Sequence, residues 1–185
     1  MTLPTTNPVG PLALPKHYFA VTFAGLAKVQ ELFGAANATE AEARIWIDAL
    51  PPPRDEYDQV VAAYTKQQME ALRPHILIGT APRQNLISQR LATDTYGKGG
   101  TLVAWIELAC NPDLRDDPAA LQRDCDNTIG AILSELEQDS YQPGKLAIDR
   151  VEVDGPWRCP EDAIEDLGDH FLAALTIRWN GGLAQ

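Results

Sequence analysis

GGTLVAWIELACNPDLRDDPAALQRDCDNTIGAILSEL, residues 99–136, is the stretch on which the fold of this chain turns. In its first part Leu102, Ala104, Ile106, Leu108 and Cys110 alternate onto one face, as the residues of a strand do. Val103, Trp105 and Ala109 make the other face apolar too, which predicts a strand covered on both sides. The alternation breaks at NPDLRDDPAAL. Asp117 ahead of Pro118 has the chemistry of a helix N-cap followed by a proline in the first turn, and Asp116 and Asp117 suit the positive end of a helix dipole. Leu121, Cys125, Ile129, Ile132 and Leu136 then recur at three- and four-residue steps, a helical stripe. The acidic turn is read as a helix start, and the helix packs its stripe back on the strand.

Toward the C-terminus, KLAIDRVEVDG (145–155) is a second strand whose apolar phase shifts between Leu146/Ile148 and Val151/Val153, which predicts a bulge. PWRCPEDAIEDLGD (156–169) reads as an acidic loop with one helical turn at most. HFLAALTIRW (170–179) closes the domain as a strand: Phe171, Ala173, Leu175, Ile177 and Trp179 share a face, while Thr176 and Arg178 point away. Toward the N-terminus, residues 82–100 are polar and lack a period, and are expected to form a long loop or flexible hairpin with Tyr96–Gly100 as its mobile tip. HILIGTA (75–81) is a strand by its β-branched content. A helix is expected over about residues 56–73, capped by Asp55, lined by Tyr57, Val61, Tyr64 and Leu72, and stopped by Arg73-Pro74. ARIWIDAL (43–50) is a short β-rich run that Pro51–Pro53 end. Residues 16–33 read as one helix, with Phe19, Phe23, Leu26, Val29 and Phe33 on its stripe and Gly34 as its stop. Residues 1–15 carry Pro4, Pro8, Pro11 and Pro15, which fit neither a helix interior nor a central strand, and are expected to be a flexible arm. Its Leu12 and Leu14 would give it something to bury on a neighbour. The layout predicts a single α+β domain over residues 16–182, a mainly antiparallel sheet packed with helices.

Composition narrows the function classes. The chain has 185 residues, a formal net charge of -11 and 45% hydrophobic residues. That is long enough to bury a sizeable core without a metal or disulfide staple. An acidic chain repels phosphate, so direct binding of nucleic acid or of an anionic membrane is not expected. No apolar run approaches the roughly 20 residues that span a bilayer, and the N-terminus lacks the pattern of a secretory signal. Cys110, Cys125 and Cys159 form no CxxC pair and are expected to be reduced thiols of a cytoplasmic protein.

No catalytic signature stands out. Glu161, Asp162, Glu165, Asp166 and Asp169, with His170 beside them, have the donor types of a divalent-ion site but no defined ligand spacing, and a charge run of this kind is most often a solvated face. Asp124, Asp126 and Asn127 resemble the start of a calcium loop but lack its glycine and closing glutamate. His17, His75 and His170 stand at the starts of three elements; a Cys/His or Ser/His pair could still assemble in space. No GxSxG is present, and YGKGG (96–100) has neither the Ser/Thr nor the helix start of a phosphate loop. Trp46, Trp105 and Trp179 fit strand positions. Trp157, in the predicted loop, is the tryptophan expected to meet a partner. No metal or cofactor is expected.

The order of elements, with TLVAWIELAC, the helix that follows, LAIDRVEVDGPW and the closing ALTIRW, resembles the tail terminator and tail completion proteins of long-tailed bacteriophages, best over residues 101–179. The resemblance implies a structural role without catalysis or cofactor. Its members form a homo-oligomeric ring, commonly a hexamer, which ends the tail tube and faces the head connector, first in the host cytoplasm and then in the virion tail. The helix at 56–73 and the loop at 82–100 are larger than a minimal member needs. Under this reading Leu12, Leu14, Leu86, Ile87, Tyr96, Lys98 and Trp157 are the interaction candidates. The competing reading is a small-ligand-binding domain or enzyme with its site on loops 82–100 and 155–170, using Tyr96, Lys98, Asp162 and His170. A third is a stand-alone regulatory or interaction domain.

Overall fold

The alternation at 101–109 becomes the central strand of the sheet. The computed structural model describes residues 13–80, 87–92, 95–139, 147–159 and 169–182. In chain order these form α1 (Ala13–Gly25), α2 (Ala27–Phe33), α3 (Ala38–Glu42), β1 (Ile45–Ile47), α4 (Lys66–Leu72), β2 (His75–Thr80), β3 (Ile87–Ala92), β4 (Thr95–Ala109), a 3-10 turn (Pro112–Leu114), α5 (Pro118–Asp139), β5 (Ala147–Cys159) and β6 (His170–Gly182). The sheet runs β1-β2-β4-β6-β5, with β3 pairing the first part of β4. Only β1 and β2 are parallel among these pairs. The α+β class with a mainly antiparallel sheet in a single domain is therefore as the sequence led us to expect.

Register explains the core. Leu102, Ala104, Ile106 and Leu108 stand opposite Ile177, Leu175, Ala173 and Phe171 of β6, and Ile76 and Ile78 of β2 stand opposite Ile106 and Ala104. All of these are buried in one cluster with Phe19 and Phe23 of α1, Val29 of α2, Ala41 of α3 and the α5 stripe Leu121, Cys125, Ile129, Ile132 and Leu136. Four helices thus cover one face of the sheet. Asp117 caps α5 through Oδ1, which accepts the N–H groups of Ala119 and Ala120 at 3.1 and 2.9 Å. Glu135 of α5 accepts the Lys28 N–H at the start of α2 at 2.9 Å, which places a carboxylate where a helix presents unpaired donors.

Several elements differ from the sequence reading. The helix expected at 16–33 is two helices, because Leu26 is extended (φ -70, ψ 131) after Gly25, a residue of low helix propensity. Gly34 ends α2 in the left-handed conformation, as expected. Helix α1 begins at Ala13, so Leu14 and Pro15 belong to its first turn, where proline is tolerated, rather than to an arm; residues 1–12, with Leu12, lie outside the described residues.

The helix expected at 56–73 is also corrected. Asp55 does not cap a helix: its Oδ1 accepts the N–H groups of Tyr57 and Gln59 at 2.9 and 2.8 Å. This local side-chain bonding competes with helix formation. Tyr57 is 74% exposed, so the apparent stripe is not a helix face. The helix is shorter and starts at Thr65, which forms a capping box with Gln68. Residues 87–92 and 95–99 form the antiparallel pair β3–β4, the hairpin of the two alternatives left open by the sequence, but Tyr96–Gly100 lie within β4 rather than at a tip.

The predicted bulge is present: the β5–β6 register slips between Ile148 and Arg150, and again between Asp154 and Trp157. Trp157, expected in a loop, is therefore on a strand. At the second slip Gly155 has φ +93, and a Cβ there would stand 2.7 Å from the Leu172 carbonyl oxygen. Gly155→Ala is expected to lose about 1–3 kcal/mol in urea denaturation. A loss under about 0.5 kcal/mol would mean that the bulge relaxes without strain.

Candidate functional site

The face of β4 opposite the core cluster carries Val103, Trp105, Glu107 and Ala109, and here the end of α4 meets the sheet through Arg73. Arg73, extended at the end of α4, turns a buried side chain onto this face. Its Nε–H donates to Glu107 Oε2 at 3.0 Å. The Arg44 guanidinium donates to the carbonyl oxygens of Leu72, Arg73 and Pro74 at 3.2, 3.4 and 3.3 Å, tying the end of α3 to the end of α4. His75, 2% exposed, stands opposite Glu107 in the register. Its Nε2 is 4.0 Å from Glu107 Oε1, and its ring lies 5.2 Å from that of Trp46, edge to face. His170 and Cys159 are register partners on β6 and β5, and His170 is buried.

The electrostatics follow from burial. Desolvation pushes the His75 imidazole below its usual range, with Glu107 opposing and Arg73, Arg44 and His170 adding to the fall. Burial pushes the thiols of Cys110 and Cys159 up, Asp169 adding to the first and Glu107 to the second. Burial pushes the Cys125 thiol up to about 12. A thiol is nucleophilic as its thiolate, and each of the three is held in its protonated form. Beside the seam an open cleft of about 240 Å³ is lined by Glu70, Arg73, Cys110, Asn111, Arg115 and Asp169, among others.

The sequence-predicted groups divide between this seam and other places. His75 and His170 come together although 95 positions separate them in the chain, because β4 lies between their strands; His17, on α1, stands apart from the seam. Asp169 is bound by Arg158, whose Nη2 donates to it at 2.7 Å. Glu161, Asp162, Glu165 and Asp166 lie outside the described residues, as does Leu86. Among the described residues no group of three or more His, Cys, Asp or Glu could hold a metal ion, and no helix is long and apolar enough to cross a membrane. Asp124, Asp126 and Asn127 are on α5, where Asp126 accepts a hydrogen bond from Gln122 at 3.0 Å.

Ile87 is the first residue of β3, and Tyr96 and Lys98 are on β4. Lys98 pairs with Gly181 and Ala109 pairs with His170, so Lys98 and His170 are separated by 11 steps of β4, about 36 Å at ~3.3 Å per residue. Lys98 and His170, which the ligand-binding reading joined in one site, therefore stand at opposite ends of β4. Trp157 is 45% exposed beside Leu172 on the β5 edge.

The sequence reading missed Arg44, Arg73 and Glu107. One signal was present: a glutamate inside TLVAWIELA, a strand apolar on both faces, calls for a buried partner, because an unpaired carboxylate would not be tolerated there. No protein-family model matches this chain, and its sequence matches no curated protein.

Proposed function

We propose that this chain is a structural protein of a bacteriophage or prophage tail and neck, a subunit of a homo-oligomeric ring, hexameric by the resemblance, that caps the tail tube and joins it to the head. The observation that supports this reading best is the ribbon at one end of the sheet. The described core begins at Leu102 on β4 and ends at Trp179 on β6. The pairing continues past it, with Ile87–Ala92 against Thr95–Gly99, and Gly97–Gly99 against Asn180–Gly182. Thr95–Gly99 alone extends about 17 Å at ~3.3 Å per residue.

A two- or three-stranded ribbon is marginal on its own in water, and an unpaired strand edge is a template for another chain. Packing such a ribbon on a different surface of an identical neighbour would be a heterologous contact, the kind that closes into a ring when the rotation between subunits closes. The half-exposed Trp157, on the β5 edge at the other side of the sheet, offers an aromatic anchor for the next subunit or the tube. Acidic surface on the chain, net charge -11, favours partners with complementary basic patches and sets register more than affinity. Assembly would take place in the host cytoplasm, and the ring would remain in the virion tail.

The test is a tail-assembly and complementation assay. The full-length protein is expected to form rings with a mass several times the 20.2 kDa chain and to restore tubes of uniform length. Shortening residues 84–98, or deleting residues 1–12, should leave the melting transition nearly unchanged, because the core stripes lie elsewhere, and at least one of these variants should fail to terminate tubes. If both truncated forms support normal tails, the interface lies on the folded surface. A chain that stays monomeric at all concentrations and leaves tube length unaltered would end the capping proposal.

A further inference from the structure

We propose that the joint where the end of α4 meets the sheet is an acid-operated latch: at neutral pH the segment from Thr65 to Pro74 is held to β4 through Arg73 and Glu107, and to the turn before β1 through Arg44, and it swings away when His75 takes a proton. The groups that face His75 come from every element packed on it. They are Glu107 from β4, Arg73 from the end of α4, Arg44 from the turn before β1 and His170 from β6, with the Trp46 ring from β1; Cys159 of β5 lies within reach of the same Glu107 and Arg73. One carboxylate thus already stands among two guanidinium groups. A proton on His75 adds a third cation in a buried place. The His75 Nδ1 is buried and makes no hydrogen bond among the described residues; the imidazolium carries an N–H on both nitrogens, and in the closed seam the one on Nδ1 finds no acceptor, whereas water supplies one once the seam opens.

The weakest element at this seam is α4. It is a seven-residue helix whose one buried apolar anchor is Met69, and that residue lies outside the core cluster that joins the other helices to the sheet. Local opening draws on such sparsely anchored segments before the core. The sign of the pH effect follows from the direction of the shift. His75 is harder to protonate in the closed seam than in water. The closed state therefore keeps its full advantage above about pH 6.5, and as pH falls below that value the open state binds the extra proton. The open population rises by up to about tenfold per pH unit until the closed-state imidazole also titrates.

Hydrogen exchange of the full-length protein between about pH 7.5 and 5.5, corrected for the intrinsic rate, reads this directly. Amides of residues 66–74 are expected to gain several-fold to tenfold or more in opening at the acid end, while those of 102–108 and 121–136 keep their protection. His75→Gln should make the opening of 66–74 independent of pH over this range, and His170→Gln should leave the rise in place. If His75→Gln does not fold, NMR titration of the wild-type imidazoles decides: the midpoint of the opening must coincide with the His75 titration and not with that of His170. A rise that survives in His75→Gln, that vanishes in His170→Gln, or that spreads equally over the core strands and α5 would overturn the latch, as would no rise at all.

Discussion

Trp179→Ala is expected to cost about 3–5 kcal/mol in chemical denaturation, the range of a fully buried large aromatic. Trp179 is 1% exposed and sits where the sheet narrows toward the ribbon, between Ile148 of β5 and Gly100 of β4 in the register. Gly100 leaves room for the ring: a Cβ there would stand 3.1 Å from indole carbon Cζ2. Removing the indole would open a space that neither flanking strand can fill, since both are held in register by β6. Among the described residues the buried indole Nε1–H has no hydrogen-bond partner, a burden that the folded state carries. Trp179→Phe keeps a ring over Gly100 and removes that N–H, so it should lose less than half as much as the alanine variant. A loss below about 2 kcal/mol for Trp179→Ala would place the ring outside the core.

Ile106→Ala is the second large effect, expected at about 2–5 kcal/mol. Ile106 is fully buried at the middle of β4, flanked by Ile76 on β2 and Ala173 on β6. Hydrogen bonding on both sides holds the β4 backbone, so it cannot settle into the space left by the lost methyl and methylene groups. Urea denaturation should show a lower midpoint with the slope unchanged, the mark of lost stability without a change in the denatured state. A loss under about 1 kcal/mol would mean that the helices follow the shrinking side chain and close the cavity.

The parts of this molecule that were legible in its sequence are those whose periodicity is long and unbroken. Leu102 to Leu108, Phe171 to Trp179 and the α5 stripe each repeat their apolar spacing often enough to outweigh local competitors, and a pattern of that length fixes both the element and the face it buries. The phase slip between Ile148 and Val151 was visible for the same reason, as a fault in an otherwise regular strand. Short segments were misread where a local interaction outbid the pattern. Asp55 bonds its own turn instead of starting a helix, although Thr65-Lys66-Gln67-Gln68 spelled the true capping box. Tyr96–Gly100, rich in glycine and polar side chains, pairs as a strand between β3 and β6; the bonds that hold it come from two other elements, and single-chain propensity does not record them.

The candidate site shows the same division more sharply. That Glu107 needs a buried partner could be read from its apolar surroundings. Which partner could not: Arg73 and Arg44 reach it through the end of one helix and the end of another, and His75 and His170 become neighbours of β4 only when β2 and β6 take their places on either side of it. The α+β class, the central strand and the face of α5 that covers it follow from apolar spacing along single segments, which is written in the chain itself. The charged seam, the ribbon beyond the core and the exposure of Trp157 came only with the assembled fold, because each depends on strand register and on burial, and a basic group such as the His75 imidazole becomes hard to protonate only where distant segments together exclude water.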